Sequence, residues 1–173
     1  PAPPLALERI SESISDGAIK LQLSQISLVA VPVEVKTLHT LRVLNLRQNA
    51  IKILPTDIVH ALRHLEILNM CENLLQYMPE NISALAELRT LLLSHNSIAD
   101  LPEGICQLPV LQTLRLDHNQ LEVLPRSIGE ACTPRQILRH IAKAKCGYGI
   151  RKCVFSVRPN IPSDYRLRSA QKS

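Results

Sequence analysis

The chain has 173 residues, 46% of them hydrophobic and 20% charged, with a formal net charge of +5. That is enough apolar material for a sizeable core in a single domain, and the absence of any apolar run of about 18 residues excludes a membrane-spanning helix. The first residue is Pro1, so no targeting segment is read from this sequence. Residues 1–17 come first in the chain. Pro3 and Pro4 can open a helix, where their missing N–H groups do no harm. Leu7, Ile10 and Ile14 then fall at i, i+3 and i+7 on one face, opposite Glu8, Glu12 and Ser13, and Asp16-Gly17 stops the run. The expectation is a short capping helix with Leu7, Ile10 and Ile14 turned inward. Three apolar residues beside acids make a poor membrane anchor.

From Leu41 to Pro125 the chain repeats itself. LRVLNLRQNAIKILP, LEILNMCENLLQYMP, LRTLLLSHNSIADLP and LQTLRLDHNQLEVLP begin at Leu41, Leu65, Leu88 and Leu111, spaced by 24, 23 and 23 residues. They share the frame L-x-x-L-x-(L/M)-x-x-N-x-(I/L)-x-x-(L/M)-P. A fainter copy precedes them, with Ala18, Leu21, Leu23, Leu28, Val31 and Pro32 in the same frame and Ile26 where the others carry asparagine. Five units therefore run over 18–133, and a nearly constant period of this length marks a solenoid.

The spacing has a physical reading. In L-x-x-L-x-L, Leu44 and Leu46 point inward while Val43, Asn45 and Arg47 face out, so each unit contributes one short strand to a parallel concave sheet. Asn49, Asn73, Asn96 and Asn119 follow the strands and turn inward. Buried amides must be paired, which predicts a ladder onto the backbone of neighbouring coils. A lone unit buries too little apolar surface to offset the ordering of its backbone. Stability must come from stacking, and each end needs a cover.

This frame resembles the leucine-rich repeat. The trailing P-x-x-(I/V)-x-x-L is similar to the intracellular 23-residue class, which includes Ras-suppressor-like and plant Ras-group-related proteins. The resemblance implies an α/β leucine-rich repeat solenoid, a right-handed β/α superhelix with five repeats, a parallel concave sheet and N- and C-terminal capping helices. For the second cap, Thr133-Pro134-Arg135-Gln136 is a capping box with proline at the first helical position. Ile137, Leu138, Ile141 and Ala142 form an apolar face, and Gly147 or Gly149 ends the helix, expected over 134–146.

Four rows of side chains cross the concave face. Position three of each unit gives Lys20, Val43, Ile67, Thr90 and Thr113, and position five gives Gln22, Asn45, Asn69, Leu92 and Arg115. Position seven gives Ser24, Arg47, Cys71, Ser94 and Asp117, and position eight Gln25, Gln48, Glu72, His95 and His118. Val43, Ile67 and Leu92 make a small apolar island that could anchor a partner. Cys71, Glu72, Ser94, His95, Asp117 and His118 cluster at one strand end and include the residue types of a nucleophile and base, or of a metal site. An open sheet row lacks the water-excluding pocket of an active site, so the expectation is a polar rim for a partner. No catalytic residue, cofactor, metal or small-molecule substrate is expected.

The five cysteines, Cys71, Cys106, Cys132, Cys146 and Cys153, are odd in number, show no zinc-binding spacing, and point to a reducing, intracellular setting. The cytoplasm fits best, and an organelle or the nucleus also fits. Asn81-Ile82-Ser83 matches a glycosylation sequon and is read as chance in that setting.

The end of the chain differs. From Lys143 onward eight basic residues face one acid, Asp164, so this piece carries 8 − 1 = +7 and the rest 5 − 7 = −2. The extended tail at 147–173 includes Tyr148, Arg151, Lys152, Phe155, Arg158, Tyr165, Arg166 and Arg168, a mixture typical of binding hot spots. Cys153 to Val157 could add a strand to another sheet edge. The function expected is a non-enzymatic protein-binding scaffold, held in a larger intracellular assembly by its concave face and its tail. The alternatives are an RNA-associated component of a ribonucleoprotein particle, with the tail on phosphates, and, from the resemblance alone, a regulator of a small GTPase or phosphatase.

Overall fold

The computed structural model describes residues 3–122 together with Pro125 and Ser127. Five three-residue strands, β1 (Lys20–Gln22), β2 (Val43–Asn45), β3 (Ile67–Asn69), β4 (Thr90–Leu92) and β5 (Thr113–Arg115), form one parallel sheet in chain order. The middle residue of each strand points inward, so Leu21, Leu44, Leu68, Leu91 and Leu114 are all at most 1% exposed. Register pairs Lys20 with Val43, Val43 with Ile67, Ile67 with Thr90 and Thr90 with Thr113. Equal positions of successive units are thus neighbours across the sheet.

Each of the first four units returns through a short helix on the far side. Three are 3-10 turns, Val33–Thr37, Glu80–Ala84 and Glu103–Ile105. A proline stands before every one, at Pro32, Pro79 and Pro102, its extended backbone aiming the chain into the turn. The second unit instead forms an α-helix, labelled α2 (Thr56–Ala61), after Pro55. This is the unit with 24 residues rather than 23, and the wider α turn absorbs the extra residue away from the sheet. The strand register is undisturbed.

The asparagines form the expected ladder. Asn73 donates to the carbonyls of Leu46 at 2.9 Å and Met70 at 3.2 Å, and accepts the Ile51 amide at 3.1 Å. Asn96 does the same for Met70, Leu93 and Leu75, and Asn119 for Leu93, Leu116 and Ile98. In each case the amide serves its own coil and the coil before it. That explains Ile26: the first coil has no coil before it to serve, and its own amides at Ile26 and Leu28 are met by Asn49 at 3.3 and 2.9 Å.

Close stacking fixes one glycine. A Cβ on Gly104 would lie 2.1 Å from the Glu80 carbonyl oxygen, so only glycine lets the last 3-10 turn pack on its neighbour.

The first coil is covered by α1 (Pro4–Ser15), which starts after Pro3 and stops before Gly17 at φ +59°. Its buried face differs from the one expected. Ala6, Ile10 and Ser13 are buried, whereas Leu7 and Ile14 remain 40% and 52% exposed. The small side chains of Ala6 and Ser13 let the helix backbone approach the sheet edge closely, and Arg9 donates to the Gln22 carbonyl at 3.0 Å. No helix among the described residues is long and apolar enough to cross a membrane. The expected cap at 134–146, the tail at 147–173 and the end of the fifth unit lie outside the described residues.

Candidate functional site

The concave sheet and the turn that follows its strands carry the concave-face side chains singled out from the sequence. On the sheet itself, Ile67 lies beside Val43 in the position-three row, and Leu92 sits diagonally from Ile67 on the next strand. Ile67 is 36% exposed and the other two are half-buried, so the three form one shallow apolar island. Asn45 and Asn69 flank it. Their Oδ1 atoms accept the amides of Arg47 and Cys71, two residues on, at 3.0 and 3.1 Å, and Asn45 also donates to Gln22 Oε1 at 2.7 Å. Part of their hydrogen-bonding capacity is therefore spent within the coil.

The position-eight row has a backbone signature that the sequence does not announce. Gln25, Gln48, Glu72, His95 and His118 all have φ between 56° and 59°. This left-handed conformation costs a non-glycine residue roughly 1–2 kcal/mol. It turns the chain from the strand so that position nine can enter the core, and it aims the amide at the next coil. Gln25, Gln48, Glu72 and His95 each donate to the position-seven carbonyl of the following unit, at 3.1, 3.0, 2.9 and 2.9 Å.

Side chains of this row pair with one another or with the row beside it. Gln25 donates to Gln48. Arg47 clasps Glu72 through Nε at 2.9 Å and Nη2 at 2.5 Å. The His95 and His118 rings stack with centroids 4.1 Å apart and planes 14° from parallel. His95, Asp117 and His118 bring one ligand-capable atom each to within 4.8 Å of one another.

Local charge follows from these contacts. Hydrogen bonding from Arg47 holds the Glu72 carboxyl below its usual range against partial burial, with help from Gln48 and the His95 side chain. Burial pushes Asp117 upward, but the Ser94 hydroxyl, its own backbone amide, Arg115 and His118 together outweigh that and hold it low. The Ser94 contact is looser than a regular hydrogen bond, since its buried Oγ has no partner of ordinary geometry. For Cys71, burial dominates and the thiol is raised, despite Ser94 and Arg47 acting the other way. A protonated, half-buried thiol is a poor nucleophile.

One surface expectation needs correction. Ser94 is 5% exposed, not outward-facing for a partner. Its short side chain lies in the row between Cys71 and Asp117, and longer neighbours close over it. Arg47, His95, Arg115 and His118 are exposed, and Cys71 and Asp117 are half-buried. Tyr148, Arg151, Lys152, Phe155, Arg158, Tyr165, Arg166 and Arg168 lie outside the described residues.

A second surface went unread in the sequence. An open groove of about 940 Å³ runs along the turns that lead into the return helices, lined by Ile53, Tyr77 and Pro79 together with Asp57, Glu80 and Asp100. Its available signal was apolar Ile53 and Tyr77, 49% and 46% exposed, at the position two before each proline.

Stacked strand-and-turn units with an asparagine ladder define a class, and comparison with known proteins agrees. Models of the leucine-rich repeat match residues 39–98 and 86–126, together spanning 39–126. The chain is a leucine-rich repeat protein. Among solved structures it is similar to a leucine-rich repeat protein of Leptospira interrogans at 28% identity and TM-score 0.60, covering 69% of this chain and 36% of that one. It is also similar to the BIR3–SERK2 complex of Arabidopsis thaliana at 27% identity and TM-score 0.57, covering 69% of this chain and 61% of that one. YopM from Yersinia enterocolitica matches at 26% identity and TM-score 0.60, covering 70% of this chain and 25% of that one. The chain thus spans less than two thirds of the length of each. Comparison with curated proteins gives no match. Leucine-rich repeat proteins generally mediate protein–protein interactions, and the fold is typically a non-enzymatic scaffold.

Proposed function

We propose that this chain is a protein-binding scaffold of the intracellular 23-residue class, working as a structural or adaptor subunit of a larger assembly rather than as an enzyme. The observation that carries the reading is the apolar island of Val43, Ile67 and Leu92, set among charged and polar side chains on a sheet that needs no rearrangement to meet a partner. A pre-formed surface loses little ordering entropy on binding. The similarity to a leucine-rich repeat protein seen in a protein–protein complex supports a protein partner. The raised thiol of Cys71 counts against nucleophilic chemistry at that position, and its being free rather than in a disulfide is what supports a reducing, cytoplasmic location.

Contacts are assigned to Val43, Asn45, Arg47, Ile67, Asn69, Leu92, Arg115 and the His95–His118 end of the sheet, with the basic tail as a second point of attachment. The test uses substitutions that the coils themselves tolerate. Ile67→Lys installs the residue found at Lys20 in the same row, and Leu92→Arg the residue found at Arg115. Affinity isolation with the parent chain, the double variant and a chain lacking 147–173 should show partners lost in the double variant while its thermal melt is unchanged. Full retention by the double variant would overturn the concave-face reading, and full retention without the tail would overturn the second attachment. The eight basic residues from Lys143 onward favour one other reading, contact with RNA phosphates. Binding that falls steeply with rising salt would select it, whereas a shallow dependence selects protein.

A further inference from the structure

We propose that His95, Asp117 and His118 form a three-ligand site for a divalent transition-metal ion, Zn²⁺ foremost, at the end of the concave sheet. Among the described residues this is the group of three such side chains whose ligand atoms converge, all within 4.8 Å of one another. Two imidazoles and a carboxylate are the donor set of an open zinc site, which keeps its fourth position for water or an incoming group. Equal positions of successive coils already placed these residues in one cluster with metal-site residue types, where a polar rim was expected instead; the convergence of the three ligand atoms is what the structure adds.

The backbone beneath the three side chains is fixed. His95 and His118 occupy equal positions of adjacent coils, both left-handed at φ 57° and 56°. The His95 amide donates to the Asp117 carbonyl at 2.9 Å, and the Asn96 amide to the His118 carbonyl at 3.2 Å. One residue beyond, Asn119 ties the same two coils together through the carbonyls of Leu93 and Leu116. The ligand-bearing Cα atoms are thus held before any ion arrives, which is the condition for a site of useful affinity.

What must change is at the side-chain tips. Ligands at about 2.1 Å from a tetrahedral ion stand roughly 3.4 Å apart, so the three atoms must close in. In the stack the lone pairs lie in two nearly parallel ring planes, so at least one ring must turn to aim at a shared point. Both side chains are exposed, and the torsion that turns an imidazole is a soft one. The buried Ser94 hydroxyl lies near the Asp117 carboxylate without a hydrogen bond of ordinary geometry, and would have to close on it to support that ligand. Arg115 opposes the ion by its charge, whereas the nearby Arg47 is engaged by Glu72.

The chain supplies its own controls. Gln25 and Gln48 hold the same left-handed position in the first two coils, so His95→Gln and His118→Gln remove the imidazoles without asking for a new backbone. Zn²⁺ binding by the full 173-residue chain is measured by competition with a chromophoric zinc indicator. In parallel, the imidazole Cε1–H resonances are followed during a Zn²⁺ titration. The expected result is a loss of at least ~10-fold in affinity for one equivalent of Zn²⁺ in each glutamine variant and in Asp117→Asn, with the His95 and His118 resonances shifting together. His64→Gln, which removes an imidazole paired with Glu87 elsewhere on the surface, should leave that affinity unchanged. Unaltered stoichiometry and affinity in the His95→Gln/His118→Gln double variant would overturn the proposal, as would unmoved His95 and His118 resonances at saturating Zn²⁺.

Discussion

Positions eight and nine of each coil are neighbours in the chain and opposites in constraint. Position nine is asparagine in every coil from the second to the fifth, and its amide is consumed by three or more backbone groups of two coils. Position eight reads Gln, Gln, Glu, His, His, and the coil asks of it only a left-handed backbone. The fold thus fixes one row completely and leaves the row beside it free to vary its chemistry. Whatever distinguishes this chain from another solenoid of the same period is written at positions such as eight, three and five, not at nine.

The comparison breaks most visibly from the inside. Asn73→Ala strips a buried amide and leaves the Ile51 amide and the Leu46 carbonyl without partners. At about 1–3 kcal/mol for each orphaned group, a loss of ~4 kcal/mol is expected, read as a lower denaturant midpoint. Gly104→Ala tests the same stacking on the return side. Its Cβ would collide with the Glu80 carbonyl, and a loss of about 2 kcal/mol is expected by the same measurement.

The outer row should respond weakly. His95→Gln and His118→Gln are expected to stay within about 0.5 kcal/mol of the parent in denaturant melts, so that any change in metal or partner binding reports on the surface itself. A large destabilisation there would erase the distinction between the two rows.

Acid titration sharpens the contrast further. Glu72 and Asp117 are both held below their ordinary range in the folded chain. The unfolded chain therefore takes up protons first. Their stabilising contribution is complete above about pH 5 and is lost as the pH falls through the lower folded values. Melting temperature should fall below about pH 4, and less so in Glu72→Gln, which removes one of the lowered carboxylates and leaves Asp117 and the His64-paired Glu87.

The limits of the sequence reading follow from the same division. Leu44, Leu68, Leu91 and Asn73 announce their places because a strand or an inward amide accepts few alternatives. In α1 two apolar faces competed, and Ala6 with Ser13 beat Leu7 with Ile14 because small residues permit closer approach to the sheet edge. Ser94 looked outward by alternation alone, and only its neighbours in the stack show it covered. The Ile53–Tyr77 groove belongs to no single unit.

What the amino-acid order determined by itself was the period, the inward leucines, the asparagine ladder and the neighbours in each row, because a coil of constant length places equal positions side by side. Tertiary structure alone decided the left-handed backbone of the eighth position, the stacking of His95 on His118 and their convergence with Asp117. Glutamine and glutamate do not favour that conformation, and histidine, although it enters it more readily, does not need it. It is imposed on them by amides that reach for the next coil while the chain turns to bury an asparagine.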